Sequence, residues 1–248
     1  MTLLTEGLAG NYINGQEAII PDTYTIIDSY AFWRGSLEKV IIGNGITQIR
    51  RNAFESNLLT SVDFGDSVTE IGFYSFSDNK LTTVTIPDSV THIDEGAFRG
   101  NDLISITFGN SIETIGDMAF AGNQITSVTI PDSVTYIANG AFEENNLTSI
   151  AWNNSIERIG SMAFFYNQLT SVTIPDSVTH IDDGAFSGNP ITSVTIPDNV
   201  AYISDGAFSS DTIVTIETLS SYILSELFEN ITFTGTQAVN ATGNASAN

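Results

Sequence analysis

The chain repeats itself every 22 residues. The unit is plainest at 81–102, where Leu81, Val84, Ile86, Val90, Ile93, Ala97, Phe98 and Asn101 set the pattern. It returns without insertion or deletion at 103–124, 125–146, 147–168, 169–190 and 191–212. In the other direction it gives 59–80, 37–58 and a degenerate copy at 15–36, nine units in all. A fixed period of about 20–29 residues marks a solenoid with one short strand per turn.

The columns explain why such a chain must stack. One is Phe in every copy, from Phe32 to Phe208, preceded by Ala except at Ser75. A second is always Ile, from Ile27 to Ile203, and a third runs Tyr24, Ile46, Val68, Val90 and onward to Val200. No single unit closes a core with so few apolar side chains, but stacked units do. Each Phe then lands on the Phe of the next turn, its burial contributing ~1.5–3 kcal/mol. Ala beside it leaves room for the ring.

Within a unit, Val84 and Ile86 face inward while Thr83 and Thr85 face outward, so residues 83–86 are expected as the strand. Pro87 ends it, lacking an N–H. Pro21, Pro131, Pro175 and Pro197 repeat that place, and Gly43, Gly65, Gly109 and Asn153 fill it in the other copies. Residues 93–99 are expected as a short helical turn. Asn57, Asn79, Asn101, Asn123, Asn145, Asn167 and Asn189 form a column that can bond the backbone of its own and a neighbouring turn. A doubled period is superposed: Ile-Pro-Asp begins at 86, 130 and 174, with Phe108-Gly109-Asn110 and Trp152-Asn153-Asn154 between. Duplication of a two-turn block accounts for it.

The pattern Leu-x-x-Val-x-Ile-Pro-x-x-Val-x-x-Ile-x-x-x-Ala-Phe-x-x-Asn resembles the BspA-like, or treponemal-type, leucine-rich repeat over residues 15–212. The resemblance implies an α/β solenoid, a right-handed leucine-rich-repeat superhelix of nine repeats with one short strand each and a small C-terminal cap. It also implies a bacterial surface or secreted protein that binds partners and is not an enzyme. The family often runs at 23 residues per repeat, whereas this chain keeps 22.

Residues 1–14 are expected to cap the open N-terminal end, with Tyr12 and Ile13 shielding the core. Residues 15–212 form the solenoid. Residues 213–235 are expected as a C-terminal cap: a strand at 213–216, a helix over 220–228 and a last strand at 231–233. The tail at 236–248, rich in Ala, Asn, Gly, Thr and Ser, is expected to be disordered.

The net charge is −22, from 29 acidic and 7 basic side chains, and beyond Arg99 the one basic residue is Arg158. Nucleic acid needs a cationic face and is excluded as a partner. Anionic membrane surfaces are disfavoured for the same reason. No apolar stretch reaches the length of a membrane span. The N-terminal ten residues lack a basic segment and an apolar run, so they do not read as a signal peptide. An extracellular or cell-surface location, which the resemblance implies, then needs another export route or a processed chain. There is no Cys, and nine turns supply a core without disulfides.

Chemistry is sparse. His92 and His180 lie four repeats apart in one column, ~19 Å at strand spacing, too far to share a metal or substrate atom. No Ser has the His and Asp partners of a triad, and there is no Gly-rich phosphate loop. No cofactor is expected. Asp22, Asp66, Asp88, Asp132, Asp176 and Asp198 follow the strands, where Asp suits a turn. A row of Ca²⁺ ligands is the alternative reading of that column.

Two surfaces stand out as partner sites for a protein or a cell-surface glycan. The outward strand face carries Thr83, Thr85, Thr107, Thr129, Thr173 and Thr195 within a carpet of Ser and Thr. β-propensity and cross-strand hydroxyl pairing also produce such a carpet. Trp33, Phe165 and Tyr166 are candidate exposed aromatics near the turn. The column of His92, Tyr136, His180 and Tyr202 also holds Glu70 and Arg158. The sequence thus points to a non-enzymatic interaction or adhesion module. The alternative is a structural spacer or fibre subunit of a surface assembly or phage tail, self-associating through the solenoid ends.

Overall fold

The computed structural model describes residues 2–204 and 206–208, together with the backbone of the strands Ile213–Ile216 and Asn230–Phe233. The chain winds into stacked coils, and each coil carries two strands rather than the expected one. The longer strand is the one foreseen, as in Thr83–Thr85. The second is two residues long, as in His92–Ile93. It begins the stretch where a helical turn was expected. Among the described residues, helix is confined to the N-terminal segment, as Glu6–Ala9 and the 3₁₀ turn Gly10–Tyr12.

The turn cannot be helical because one of its positions, and the residue just past it, are left-handed. In one column φ is positive at Tyr30, Asn52, Tyr74, Gly96, Met118, Gly140, Met162 and Gly184. In the other it is positive at Arg34, Ser56, Asp78, Gly100, Gly122, Glu144, Tyr166 and Gly188. An α-helix admits no such residue in its interior.

The short strands form one continuous parallel sheet of ten, from Leu3–Leu4 to Tyr202–Ile203. Their second residue is the invariant Ile, buried in the core from Ile27 to Ile181, while the first faces out in most coils. Leu3–Leu4 joins beside Ile26–Ile27, so the N-terminal segment adds a strand to the stack. Tyr12 packs edge-on against Tyr24, with centroids 5.6 Å apart. Ile13 does not shield the core as expected: it lies in a strand antiparallel to Glu17–Ile20 and is exposed.

The Phe column forms a stack. Successive rings from Phe32 to Phe208 lie with centroids 4.9–5.6 Å apart and planes within 12°. The Asn column runs beside it. Asn123 Nδ2 donates to Phe98 O and Phe120 O, both at 3.0 Å, while Asn123 Oδ1 accepts from the Leu103 amide at 3.1 Å. The same set recurs at Asn57, Asn79, Asn101, Asn145, Asn167 and Asn189. Each Asn thereby satisfies backbone groups of its own coil and of the preceding one.

The long strands do not form one sheet. Their ladder breaks after Ser61–Asp63, after Ser105–Thr107 and after Ser149–Ala151. Each break follows an aromatic residue in the column that elsewhere holds Ile. Phe64, Phe108 and Trp152 stand edge-on to Phe76, Phe120 and Phe164, with centroids 5.4, 5.5 and 5.5 Å apart. The larger side chain takes more room than Ile86, Ile130 or Ile174. The strand before it is lifted, leaving Val62, Ile106 and Ile150 only half-buried.

The same coils carry a large residue where the next coil has Gly. A Cβ added at Gly96 would lie 2.3 Å from the Tyr74 ring, and one at Gly140 or Gly184 would lie 3.1 Å from Cγ of Met118 or Met162. The doubled period is thus two unequal coils that fit each other.

Beyond the ninth repeat the stack continues. Ile213–Ile216 pairs in parallel with Ser193–Ile196, and Asn230–Phe233 pairs with Ile213–Ile216. These are two of the elements expected in the C-terminal cap. The expected helix at 220–228 and the tail at 236–248 lie outside the described residues.

Candidate functional site

The long-strand face presents the predicted hydroxyl rows. Thr83, Thr85, Thr107, Thr129 and Thr173 are exposed and Thr195 is half-buried. Thr83 and Thr85 sit beside Ser105 and Thr107, and Ser171 and Thr173 beside Ser193 and Thr195. The rows are interrupted at each ladder break. At the break between Ser149–Ala151 and Ser171–Thr173 a slot of 230 Å³ opens, lined by Ile150, Trp152, Leu169 and Val172 beneath Ser149, Ser171 and Thr173. The sequence showed the hydroxyls but not the apolar lining. Its signal was Trp152 standing in an Ile column.

The predicted aromatic residues fall into two separate places. Trp33 is 42% exposed, with the Tyr30 ring edge-on at 5.7 Å and the Arg34 guanidinium over it at 4.4 Å. It walls a cavity of 310 Å³ beside the helix Glu6–Ala9. Phe165 and Tyr166 pack on each other at 4.2 Å, and Tyr166 is 57% exposed. Six repeats separate Trp33 from Phe165, ~29 Å at strand spacing, so they do not form one site.

A groove of 650 Å³ opens on the short-strand sheet. Tyr136, Arg158 and Tyr202 line it, each at the start of a short strand, and His180 begins the strand between the last two. Arg158 Nε donates to Asp182 Oδ2 at 2.8 Å, and Nη2 lies 2.8 Å from the same oxygen. That bond and the carboxylate charge raise the Arg158 pKa. Asp182 itself is buried. The guanidinium lies 5.9 Å from the Tyr136 ring centroid. Burial, then the Asp117 charge, push the Tyr136 phenol up. His180 and Tyr202 approach to 6.1 Å between rings.

His92 and His180 occupy the same column, each with Nδ1 against the hydroxyl of the preceding Thr, at 2.7 and 2.8 Å. The Asp column bonds backbone of the next coil: Asp22 Oδ1 accepts from the Asn44 amide at 2.7 Å and Asp88 Oδ1 from the Asn110 amide at 2.9 Å. Among the described residues no three His, Asp or Glu side chains gather as metal ligands would. Among them, too, no helix is long and apolar enough to cross a membrane.

A sequence profile of the BspA type leucine-rich repeat region, in six copies, matches residues 10–126 and 113–236. A comparison with curated proteins finds no significant match. Among solved structures, a leucine-rich repeat protein from Bacteroides ovatus superposes with a TM-score of 0.73 at 22% identity. The superposition covers 88% of this chain and 60% of the other, so this chain spans less than two thirds of that protein. A leucine rich cell surface protein from Faecalibacterium prausnitzii is similar at 21% identity over 96% of this chain and 84% of the other, with a TM-score of 0.43. With the profile covering nearly all of the coils described above, the chain belongs to the BspA-type leucine-rich-repeat family.

Proposed function

We propose that this chain is a non-enzymatic interaction module that works outside the cell and holds a partner protein against its long-strand face. The observation that supports this most is the slot at Trp152, where the half-buried Ile150 and Trp152 stand beside exposed hydroxyls. Interfaces combine an apolar anchor point with a polar surround in this way. The Thr rows supply donors and acceptors without charge, which suits a surface on a chain of net charge −22. Family membership agrees with a binding role.

The test is a binding screen of the purified chain against extracellular proteins, in Ca²⁺ and in chelator. A partner found there should be lost when Thr129→Lys and Thr173→Lys are combined, because both ammonium groups stand on the face. Unchanged binding by that variant removes the strand face from the reading. Binding lost in chelator would bring the Asp column into the site.

A second reading, a rigid spacer, draws support from the unbroken Phe stack, which ties every coil to the next. Light scattering separates the two: stable higher assemblies favour the spacer, a monomer the binding module.

A further inference from the structure

We propose that the groove between Tyr136 and Tyr202 is a binding site for a neutral oligosaccharide, distinct from the long-strand face. The first argument is where the repeat gives up its regularity. The Phe column from Phe32 to Phe208 and the Ile column from Ile27 to Ile203 each hold one residue from end to end. The outward column of the short-strand sheet runs Gln48, Glu70, His92, Thr114, Tyr136, Arg158, His180 and Tyr202. Packing leaves these positions unconstrained, since they face out. Tyr136 and Arg158 fall on adjacent coils, and Tyr202 lies two coils beyond Arg158, around one opening.

The second argument is the chemistry of the lining. Tyr136 and Tyr202 are 37% and 51% exposed, so both rings are partly open to a ligand, beside Arg158 and His180 respectively. They stand three repeats apart, ~14 Å at strand spacing, a span for several sugar rings rather than one. Between them lie Arg158 and Asp182, locked together at 2.8 Å, with Asp183 and Asn139 at the rim. Tyr136 leans over Gly160, where an added Cβ would come 2.9 Å from its hydroxyl. The lining therefore sets guanidinium donors and carboxylate and amide acceptors beside the two tyrosine rings. A saccharide presents the matching surface, with C–H faces for the rings and vicinal hydroxyls for the polar lining.

The third argument is charge. Glu157, Asp182 and Asp183 outnumber Arg158 in the lining. An anionic ligand, whether phosphorylated, sulfated or nucleic, would be repelled. A basic peptide could pair with Glu157 and Asp183 but would bring its cations against the Arg158 guanidinium. A neutral, hydroxyl-rich ligand meets neither obstacle.

The experiment is calorimetric titration of the full chain with neutral gluco-, manno- and galacto-oligosaccharides, with an oligolysine as control. One neutral series should bind. Tyr136→Ala and Tyr202→Ala should each weaken it about tenfold or more, Tyr136→Phe should retain most affinity, and Asp183→Asn should alter the preference among sugars. Both tyrosines are exposed, and a thermal melt of each variant separates lost binding from lost fold. The proposal is overturned if no neutral series binds, if binding survives the double Tyr→Ala variant, or if oligolysine alone binds with the same tyrosine dependence. The combined Thr129→Lys and Thr173→Lys variant should bind the sugar normally, so this result stands or falls apart from the strand-face reading.

Discussion

Trp152 stands edge-on to Phe164, ring centroids 5.5 Å apart at 81°, and the strand Ser149–Ala151 just before it pairs on one side alone. The ring that deepens the core here also opens the surface. Replacing Trp152 by the Ile of the neighbouring copies should let Ser149–Ala151 pair with Ser171–Thr173 and close the slot. The expected outcome is slower hydrogen exchange, by about tenfold or more, at amides of Ser171–Thr173. Exchange unchanged from the parent would mean that something other than ring size lifts the strand.

The Asn column predicts a large local cost. Asn123→Ala strands the Leu103 amide and two Phe carbonyls without their shared partner. Leaving buried polar groups unmet costs about 1–3 kcal/mol each where no water enters. A total loss of about 2–4 kcal/mol is expected by denaturant unfolding, with Asn123→Asp no better, since a carboxylate cannot donate to the carbonyls.

Ser75 predicts the opposite sign. It occupies the Ala column, is fully buried, and its hydroxyl has no hydrogen-bond partner. Ser75→Ala removes that group and matches every other copy. A gain of about 1 kcal/mol is expected, read as a higher thermal midpoint.

Acid should stabilise this chain before it unfolds it. Burial, then the Glu70 charge, raise the Asp94 carboxyl above its usual value, against the pull of His92. Burial, then the Glu144 charge, raise Glu143. An acid with a raised folded pKa binds its proton more tightly in the folded state. Stability therefore falls as pH climbs from the unfolded value through the raised folded one, and above that the penalty is complete. Relief of the −22 net charge acts in the same direction. Melting at about pH 5 should come above melting at about pH 7, and Asp94→Asn should narrow the difference.

The core was legible because packing repeats its demands identically. Phe98, Ile93 and Asn101 return in fixed places, and each does in the structure what its column implied. The short strand was not legible: His92–Ile93 is two residues long, and no alternation can be read from two positions. A helical turn was expected over 93–99, the stretch that carries Ala97-Phe98. The glycines at 96 and 100 were the contrary signal, obscured because Tyr74 and Asp78 hold the same left-handed places. Bulky residues there carry a cost of roughly 1–2 kcal/mol, which Tyr74 offsets by covering Gly96. Of the candidate surfaces, the Thr rows were visible as a list. The groove required knowing that Arg158 and Asp182 meet across a coil.

The fit of Met118 over Gly140 and of Met162 over Gly184 also sets a rule for how such a chain can change length. Excising one coil would set Met118 against Met162, two side chains where the seam has room for one. Excising two would bring Met118 over Gly184 and leave every seam matched. Between residues 59 and 190, where large residue and Gly alternate, coils can be gained or lost in even steps, so parity is inherited with the packing.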